Sequence, residues 1–234
     1  MMNTGVSAMS TSTAMPYSIY PYHNAAGEFS YYFYTKHQGR MSTKKVHRTF
    51  ALVETIEQIV AYLHAREIKP TFGLCHGVRN GNENQWFRER LPGCVVLGTE
   101  IGPLAETFPN TIRWDFHEVK PEWIGAVDFI YTNSLDHAYS SEKAVTNWMR
   151  CLTPSGRCFI EYWGDEKVIN SGSPTDPFSA DLGSVIELVT QWAADHHQIE
   201  TVLPLSRTHI EGFREHPDAK GGLIVIASRS EDVS

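Results

Sequence analysis

Several features that mark membrane, secreted or zinc-binding proteins are missing from this chain of 234 residues. No uninterrupted apolar run reaches the roughly 18 residues that a membrane-spanning helix needs. The four cysteines form no CxxC pair, which indicates reduced thiols of a cytoplasmic protein rather than a disulfide framework or a zinc site. The formal net charge is −7, and this acidic balance disfavours nucleic acid as a partner. The sequence therefore predicts a soluble protein that binds neither membranes nor nucleic acid.

The first 47 residues show no regular hydrophobic period. Residues 1–16 lack the basic and apolar regions of a signal peptide, so we expect a disordered tail there. Residues 17–47 are rich in tyrosine and phenylalanine and allow two interpretations. The segment either packs against the side of the domain or forms a lid whose aromatic side chains face a substrate.

Strand and helix signals alternate through the rest of the chain. Apolar residues recur at helical spacing from Phe50 to Leu63, and the apolar stretch "TFGLC" that follows is typical of a buried strand. Further strands and helices follow, among them a strand "RCFIEYW" after an expected turn at "TPSG". Strands separated by helices predict one α/β domain over residues 48–230. Its Rossmann-like, doubly wound and mostly parallel seven-stranded sheet should carry helices on both faces.

Glycines and acids follow the predicted strands at the points where ligands bind in doubly wound sheets. The first loop, "LCHGVRNGNE", contains Gly77 and Gly81, which let the backbone approach a ligand closely. Glu100 follows the second strand, where an acid would meet a ribose diol. Asp115 stands between two aromatic residues, one of them Phe116, and is suited to hydrogen-bond a purine held between the rings. These loops predict a nucleoside-containing cofactor.

The order of these signals resembles class I S-adenosylmethionine-dependent methyltransferases. The family's glycine motif, its ribose-binding and adenine-binding acids and the segment after its fourth strand map onto nine residues: Cys75, Gly77, Arg79, Gly81, Glu100, Asp115, Phe116, Asn133 and Ser134. The resemblance implies that these residues bind S-adenosylmethionine. It also implies an enzyme of that family.

Two positions of the glycine motif depart from the family pattern. Cys75 stands where the family has an acid that helps to hold the amino-acid end of the cofactor. Arg79 stands where the family has glycine. Its long cation would either pair with the carboxylate of the cofactor or block the approach of the cofactor.

A histidine in the loop after the fourth strand is the candidate general base. Methyl transfer from a sulfonium depends on positioning, and a hydroxyl acceptor must also lose a proton, which a histidine is suited to accept. We expect His137 to take this role and Asp136 to orient its imidazole; His117 is a second candidate. No metal is assigned, although Asp136 and Glu161 would be the ligands of a divalent cation as in some sugar O-methyltransferases.

The predicted reaction is O-methylation of a small molecule. "TNSLDH" stands where enzymes that methylate the amino groups of flipped bases carry an "NPPY"-type segment, which argues against nucleic acid. A non-catalytic binding or partner subunit with the same fold is one alternative. An NAD(P)-dependent oxidoreductase is another, but it leaves Asp115 unexplained. The oligomeric state stays open, and a homodimer is compatible with the sequence.

Overall fold

The computed structural model describes residues 17–164, 172–205 and 220–229. These ranges contain five α-helices: α1 Tyr31–Lys44, α2 Val53–Ala65, α3 Asn82–Arg90, α4 Ser141–Cys151 and α5 Leu182–Trp192. They also contain nine strands: β1 Tyr17–Ile19, β2 Phe72–His76, β3 Val95–Glu100, β4 Thr111–Arg113, β5 Val127–Thr132, β6 Leu152–Gly164, β7 Phe178–Ala180, β8 His197–Leu205 and β9 Lys220–Ser228. The expected tail, residues 1–16, lies outside the described residues. Among the residues that are described, no helix is both long and apolar enough to cross a membrane.

Seven of the strands form one sheet in the order β4-β3-β2-β5-β6-β9-β8. Strands β2 to β6 run parallel, and β9 is antiparallel to both β6 and β8. The predicted mostly parallel seven-stranded sheet is therefore confirmed. The chain leaves β2 toward β3 on one side and returns to β5 on the other, so the strand order reverses between β2 and β5. Ligands bind at such a reversal in doubly wound folds.

An apolar core lies on each face of the sheet, as predicted. Helices α2 and α3 cover one face with side chains such as Ile56 and Phe87, which pack with Phe129 of β5. Helices α4 and α5 cover the other face with side chains that include Trp148 and Val189. Burial of these large side chains is the main stabilisation of the sheet between its helices.

The expected turn at "TPSG" is wrong, because these residues lie inside β6. Val127 of β5 pairs with Leu152, whereas Phe129 pairs with Arg157, so β6 carries extra residues at this point. A register shift of this kind absorbs turn-forming residues without ending the strand.

The aromatic N-terminal segment forms β1 and α1, which were not predicted. Strand β1 pairs antiparallel with β7, apart from the main sheet. Helix α1 begins after Ser30, whose hydroxyl accepts a hydrogen bond from the Phe33 backbone amide at 3.3 Å. The helix contacts the loops after β4 and β5, since Tyr31 donates to Asp115 and Tyr34 donates to the carbonyl of His137. Helix α1 therefore lies over the carboxyl ends of the parallel strands.

Candidate functional site

Two adjoining cavities open where the strand order reverses. The larger, which we call the outer cavity, has a volume of about 270 Å³ and is bordered by both acidic and basic side chains. The smaller, the inner cavity, has a volume of about 40 Å³ and lies beneath α1. Five residues border both cavities: Lys45, Gly77, Arg79, Ser134 and His137. The two cavities are therefore parts of one site.

Nine of the eleven predicted site residues border these cavities. They are Gly77, Arg79, Glu100, Asp115, Phe116, Asn133, Ser134, Asp136 and His137. Cys75 does not, because its side chain is buried in the core beneath α2 and α3, where burial raises the pKa of the thiol. Gly81 does not either; it precedes α3 with φ of 74°, and a Cβ there would meet the Thr111 hydroxyl at 2.8 Å. The structure thus gives Gly81 a local structural role.

The glycine loop packs tightly against the loop after β5. Gly77 has φ of 76°, and a Cβ at this position would lie 2.5 Å from the side chain of Ser134. The Thr132 hydroxyl donates to the carbonyl of His76 at 3.1 Å and accepts from the Ser134 backbone amide at 3.0 Å. These hydrogen bonds hold the ends of β2 and β5 together. Gly77, which directly follows β2, borders both cavities.

Glu100 at the end of β3 supports the glycine loop from the side of the inner cavity. Its carboxylate accepts hydrogen bonds from the backbone amides of Arg79 at 2.9 Å and Gly102 at 2.7 Å. Each oxygen of a carboxylate has a second lone pair. The group can therefore still accept hydrogen bonds from the hydroxyls of a ligand.

Asp115 is held by three hydrogen bonds at the edge of the inner cavity. It accepts from the Tyr31 hydroxyl at 2.9 Å, from the His117 backbone amide at 2.9 Å and from His117 Nδ1 at 2.6 Å. Burial acts to raise the pKa of Asp115, but these hydrogen bonds outweigh burial and hold the pKa below its ordinary value. Asp115 is therefore a carboxylate at neutral pH.

His117, the second candidate base, borders neither cavity. The Ser140 backbone amide donates to Nε2 at 3.4 Å, so both ring nitrogens have partners. The fully buried ring stacks on Tyr139 with 3.8 Å between the ring centroids. We therefore infer that His117 holds the Asp115 carboxylate in place through the hydrogen bond from its Nδ1.

His137 presents the tautomer that a general base needs. Its Nδ1 lies 2.8 Å from the carbonyl oxygen of Thr175. Because a carbonyl can only accept, Nδ1 carries the hydrogen and the neutral ring keeps Nε2 as its basic nitrogen. The Thr175 carbonyl takes the orienting role that was predicted for Asp136, whose Oδ1 has no hydrogen-bond partner within the described ranges.

Three side chains, one of them that of His137, have donor atoms that could bind a divalent cation. One ligand atom each from Asp136, His137 and Asp176 lies within 4.8 Å of the others. The predicted cation partner Glu161 is not in this cluster and instead accepts from the Tyr131 hydroxyl at 2.8 Å and from Trp163 Nε1 at 2.9 Å. A cation bound at this cluster would contact one border of the outer cavity.

Arg79 occupies the boundary between the two cavities. Its backbone is left-handed, with φ of 47°, which explains why the family pattern has glycine there. The guanidinium lies 4.7 Å from the centre of the Phe50 ring and donates to the carbonyl of Arg48 at 3.2 Å. Burial lowers the pKa of Arg79, and the negative charges of Glu100 and Glu83 act in the opposite direction.

Glu83 is a site residue that sequence reasoning missed. It lies in the first turn of α3, borders the outer cavity and is only 4% exposed. Its Oε2 has no hydrogen-bond partner among the residues that the structure describes. Burial raises the pKa of Glu83 to about 8, against the favourable charge of Arg79. Acidic residues are common in the first turn of any helix, so the sequence carried no signal that this one faces a cavity.

Comparisons with known proteins identify the fold. No protein-family model and no curated protein sequence matches the chain. Among solved structures, the 1,6-didemethyltoxoflavin-N1-methyltransferase of Burkholderia thailandensis, with bound 1,6-didemethyltoxoflavin and S-adenosylhomocysteine, matches with a TM-score of 0.62 and 14% identity over 90% of this chain and 94% of that one. Geranyl diphosphate methyltransferase, in complex with GPP and sinefungin, matches with a TM-score of 0.55 and 14% identity over 74% and 76% of the two chains.

A third similar structure is that of an enzyme named for a different reaction. The [4+2]-cyclase SpnF matches with a TM-score of 0.56 and 12% identity over 73% of this chain and 80% of that one. All three identities are low, so the likeness concerns the arrangement of helices and strands. The chain has the Rossmann-like fold of the S-adenosylmethionine-dependent methyltransferases.

Proposed function

We propose that the protein is a methyltransferase that uses S-adenosylmethionine to methylate a hydroxyl group of a small molecule. The observation that carries this proposal is the pair of cavities that meet at Gly77, Arg79 and His137. The inner cavity offers Glu100 and Asp115, the two acids that the family resemblance assigns to ribose and adenine. The outer cavity offers a histidine in a basic tautomer.

The unpaired polar atoms around the outer cavity fit the amino-acid end of this cofactor. Arg79 Nε, Glu83 Oε2 and Asp136 Oδ1 are buried and have no hydrogen-bond partner within the described chain. Buried polar groups are almost always paired in proteins, so such orphans suit a polar ligand. A cation and two acids around one cavity match a group that carries both an ammonium and a carboxylate.

His137 is the proposed general base of the reaction. Bound S-adenosylmethionine would supply the methyl group and a good leaving group, so the protein has to position the acceptor and remove its proton. Nε2 of His137 would accept the hydroxyl proton while Nδ1–H stays bonded to the Thr175 carbonyl. The carboxylate of Asp176, with Oδ1 3.6 Å from Nδ1, would stabilise the resulting imidazolium.

Calorimetric titration with S-adenosylhomocysteine tests the proposal. We expect a single site that binds the demethylated cofactor, and we expect alanine at Glu100 or Asp115 to weaken that binding. A folded sample that does not bind S-adenosylhomocysteine would refute the proposed function. The methyl acceptor can then be sought by incubating small hydroxylated molecules with labelled cofactor and measuring transfer of the label.

A different use of the same fold is the second candidate. The acid of the glycine motif is replaced by Cys75 and a glycine by Arg79, and the similar structure of SpnF is that of a [4+2]-cyclase. These observations favour either a non-catalytic subunit or an enzyme with another reaction. Co-purification of a stable partner, together with weak or absent cofactor binding, would favour the subunit. An NAD(P)-dependent oxidoreductase would instead require binding of NAD(H) or NADP(H).

We also infer a cytoplasmic location. All four cysteines, Cys75, Cys94, Cys151 and Cys158, are buried free thiols in the structure. Reduced buried thiols are typical of cytoplasmic proteins. A small-molecule acceptor in place of nucleic acid remains part of the same proposal, since the net charge is −7.

A further inference from the structure

The end of β2 provides no charged group for the amino-acid end of a ligand. Cys75 occupies the position of the family's acid, and its thiol is fully buried among apolar side chains. Burial raises the pKa of this thiol well above its ordinary value, so it carries no negative charge at neutral pH. A ligand ammonium in the outer cavity must therefore find its acceptor elsewhere.

The carboxyl groups that border the outer cavity differ in whether their oxygens already have hydrogen-bond partners and in how close they lie to His137. Both oxygens of Glu161 accept hydrogen bonds, from Tyr131 and from Trp163. Asp136 and Asp176 lie together beside His137, where the proposed acceptor reacts. Glu83 is the remaining acid, and it combines 4% exposure with an Oε2 that has no partner in the described part of the chain. It is the carboxyl group best suited to accept a new hydrogen bond.

Arg79 borders the same cavity four residues earlier in the chain, in the loop before α3, and its guanidinium supplies a positive charge. The described ion pairs do not include one between Arg79 and Glu83, so the two side chains do not occupy each other by direct contact. The Nε–H of Arg79 has no hydrogen-bond partner among the residues that the structure describes. A guanidinium and an unpaired carboxyl group that border one cavity are complementary to the carboxylate and ammonium of an α-amino-acid group, because the ammonium of a bound ligand favours the ionised form of Glu83.

We infer that Glu83 replaces the missing acid of the glycine motif and accepts a hydrogen bond from the ligand's ammonium group while Arg79 binds its carboxylate. The inference rests on the proposed function, because it concerns the amino-acid end of S-adenosylmethionine. It moves the acidic contact from the end of β2 to the first turn of α3. Glu83 is in this sense a residue that selects ligands with a free amino group.

The test compares two nucleosides on matched variants by calorimetry. S-adenosylhomocysteine carries the amino-acid end, whereas 5′-methylthioadenosine keeps the adenosine and lacks that end. We expect Glu83→Gln to weaken binding of S-adenosylhomocysteine by roughly 10-fold to 100-fold, as for a charged hydrogen bond, and to leave binding of 5′-methylthioadenosine within about twofold. Glu89→Gln makes the same change on the exposed side of α3 and should alter neither affinity.

Each outcome of this test is decisive. Equal affinity of Glu83→Gln and the original protein for S-adenosylhomocysteine would overturn the inference and leave the proposed function standing. An equal loss for both nucleosides would also overturn it, since the effect would not depend on the amino-acid end. If the original protein binds neither nucleoside, the proposed function itself is refuted and the inference with it.

A measurement on the unmodified protein keeps the inference testable if Glu83→Gln fails to fold. S-adenosylhomocysteine with hydrogen in place of its amino group should bind the original protein roughly 10-fold to 100-fold more weakly than the natural compound. Equal affinity for the two compounds would show that no acceptor for the ammonium exists, and it would overturn the inference without any variant.

Discussion

At the scale of single residues, Glu83 should make the stability of the ligand-free protein depend on pH. Because burial raises its pKa to about 8, the folded protein keeps a proton that the unfolded chain loses above a pH of about 4.5. The unfolded state then binds fewer protons, so the free energy of unfolding falls as the pH rises through this range. We expect Glu83→Gln to remove this fall of up to a few kcal/mol, as measured by urea unfolding at several pH values.

The control for this prediction is again Glu89→Gln, which should keep the pH dependence of the original protein. Other buried groups also titrate, and the comparison between the two variants isolates Glu83. A Glu83→Gln variant whose stability falls with pH as steeply as that of the original protein would show that Glu83 is already ionised when buried.

His137 can be tested separately from cofactor binding. His137→Gln should lower turnover of an identified acceptor by roughly 10²-fold to 10⁴-fold, since general-base catalysis contributes effects of this size. Calorimetry should show unchanged binding of S-adenosylhomocysteine. His64→Gln, on the exposed face of α2, is the matched control. Full turnover by His137→Gln would exclude the base, and loss of turnover after chelation of divalent cations would instead support a cation at the Asp136 cluster.

Single residues also show where sequence reasoning ends. Glu100 and Asp115 were predicted because each lies at or just beyond the end of a strand, and strand ends of a parallel sheet meet at one edge. Glu83 and Asp176 were not, since an acid in the first turn of a helix or in a loop is common without any ligand. Their place beside the cavity depends on contacts between distant parts of the chain.

At the scale of elements, we expect α1 to move when a nucleoside enters the inner cavity. This cavity has a volume of about 40 Å³ and lies beneath the helix. Tyr34, Gln38 and Met41 of α1 form one side of it. Because the helix covers the cavity, we expect cofactor binding to require opening of the helix.

Gln38 provides a test of this opening. Its side-chain amide donates to the Tyr22 hydroxyl at 3.1 Å and to the carbonyls of Pro174 and Thr175 at 3.2 and 3.1 Å. Gln38→Ala removes these bonds, so amide hydrogens of α1 should exchange roughly tenfold faster, while those of β2 and β5 stay protected. Arg40→Ala, on the exposed side of the same helix, should change neither rate. Unchanged exchange in Gln38→Ala would show that these bonds do not hold α1 closed.

Helix α1 could not be predicted because its buried face carries no hydrophobic period. The buried residues of the helix are Tyr34, Gln38 and Gly39, of which only the tyrosine is a large apolar side chain. Helix α2, by contrast, buries Ile56, Ile59 and Leu63 at helical spacing and was predicted from that pattern. A hydrophobic period in the sequence reveals helices that cover an apolar core, whereas α1 covers a site bordered by polar side chains.

At the scale of the whole molecule, the melting temperature should show which nucleoside cofactor the protein binds. A ligand that binds the folded state alone raises the free energy of unfolding by about 2.7 kcal/mol when it is present at 100 times its dissociation constant. S-adenosylhomocysteine should therefore raise the melting temperature by several degrees. NAD(H) and NADP(H) should leave the temperature unchanged in the same differential scanning experiment. The reverse result would favour the oxidoreductase.

The overall architecture was the part that the sequence predicted best. Alternating buried strands and amphipathic helices allow few arrangements other than a doubly wound sheet, and seven of the strands form such a sheet in the order β4-β3-β2-β5-β6-β9-β8. The positions of β1 and β7 could not be predicted from the sequence, because strands of three residues lack a detectable hydrophobic period.

The pairing of β1 with β7 also has a consequence for the order of folding. Tyr17 meets Ala180, and joining residues so far apart in the chain costs loop-closure entropy before any contact compensates for it. We expect this pair to form after the sheet, so that changes in it accelerate unfolding and leave the folding rate nearly constant. Asp176 precedes β7 and α1 follows β1, and both border the cavities, so we expect the candidate site to become complete late in folding and to open early in unfolding.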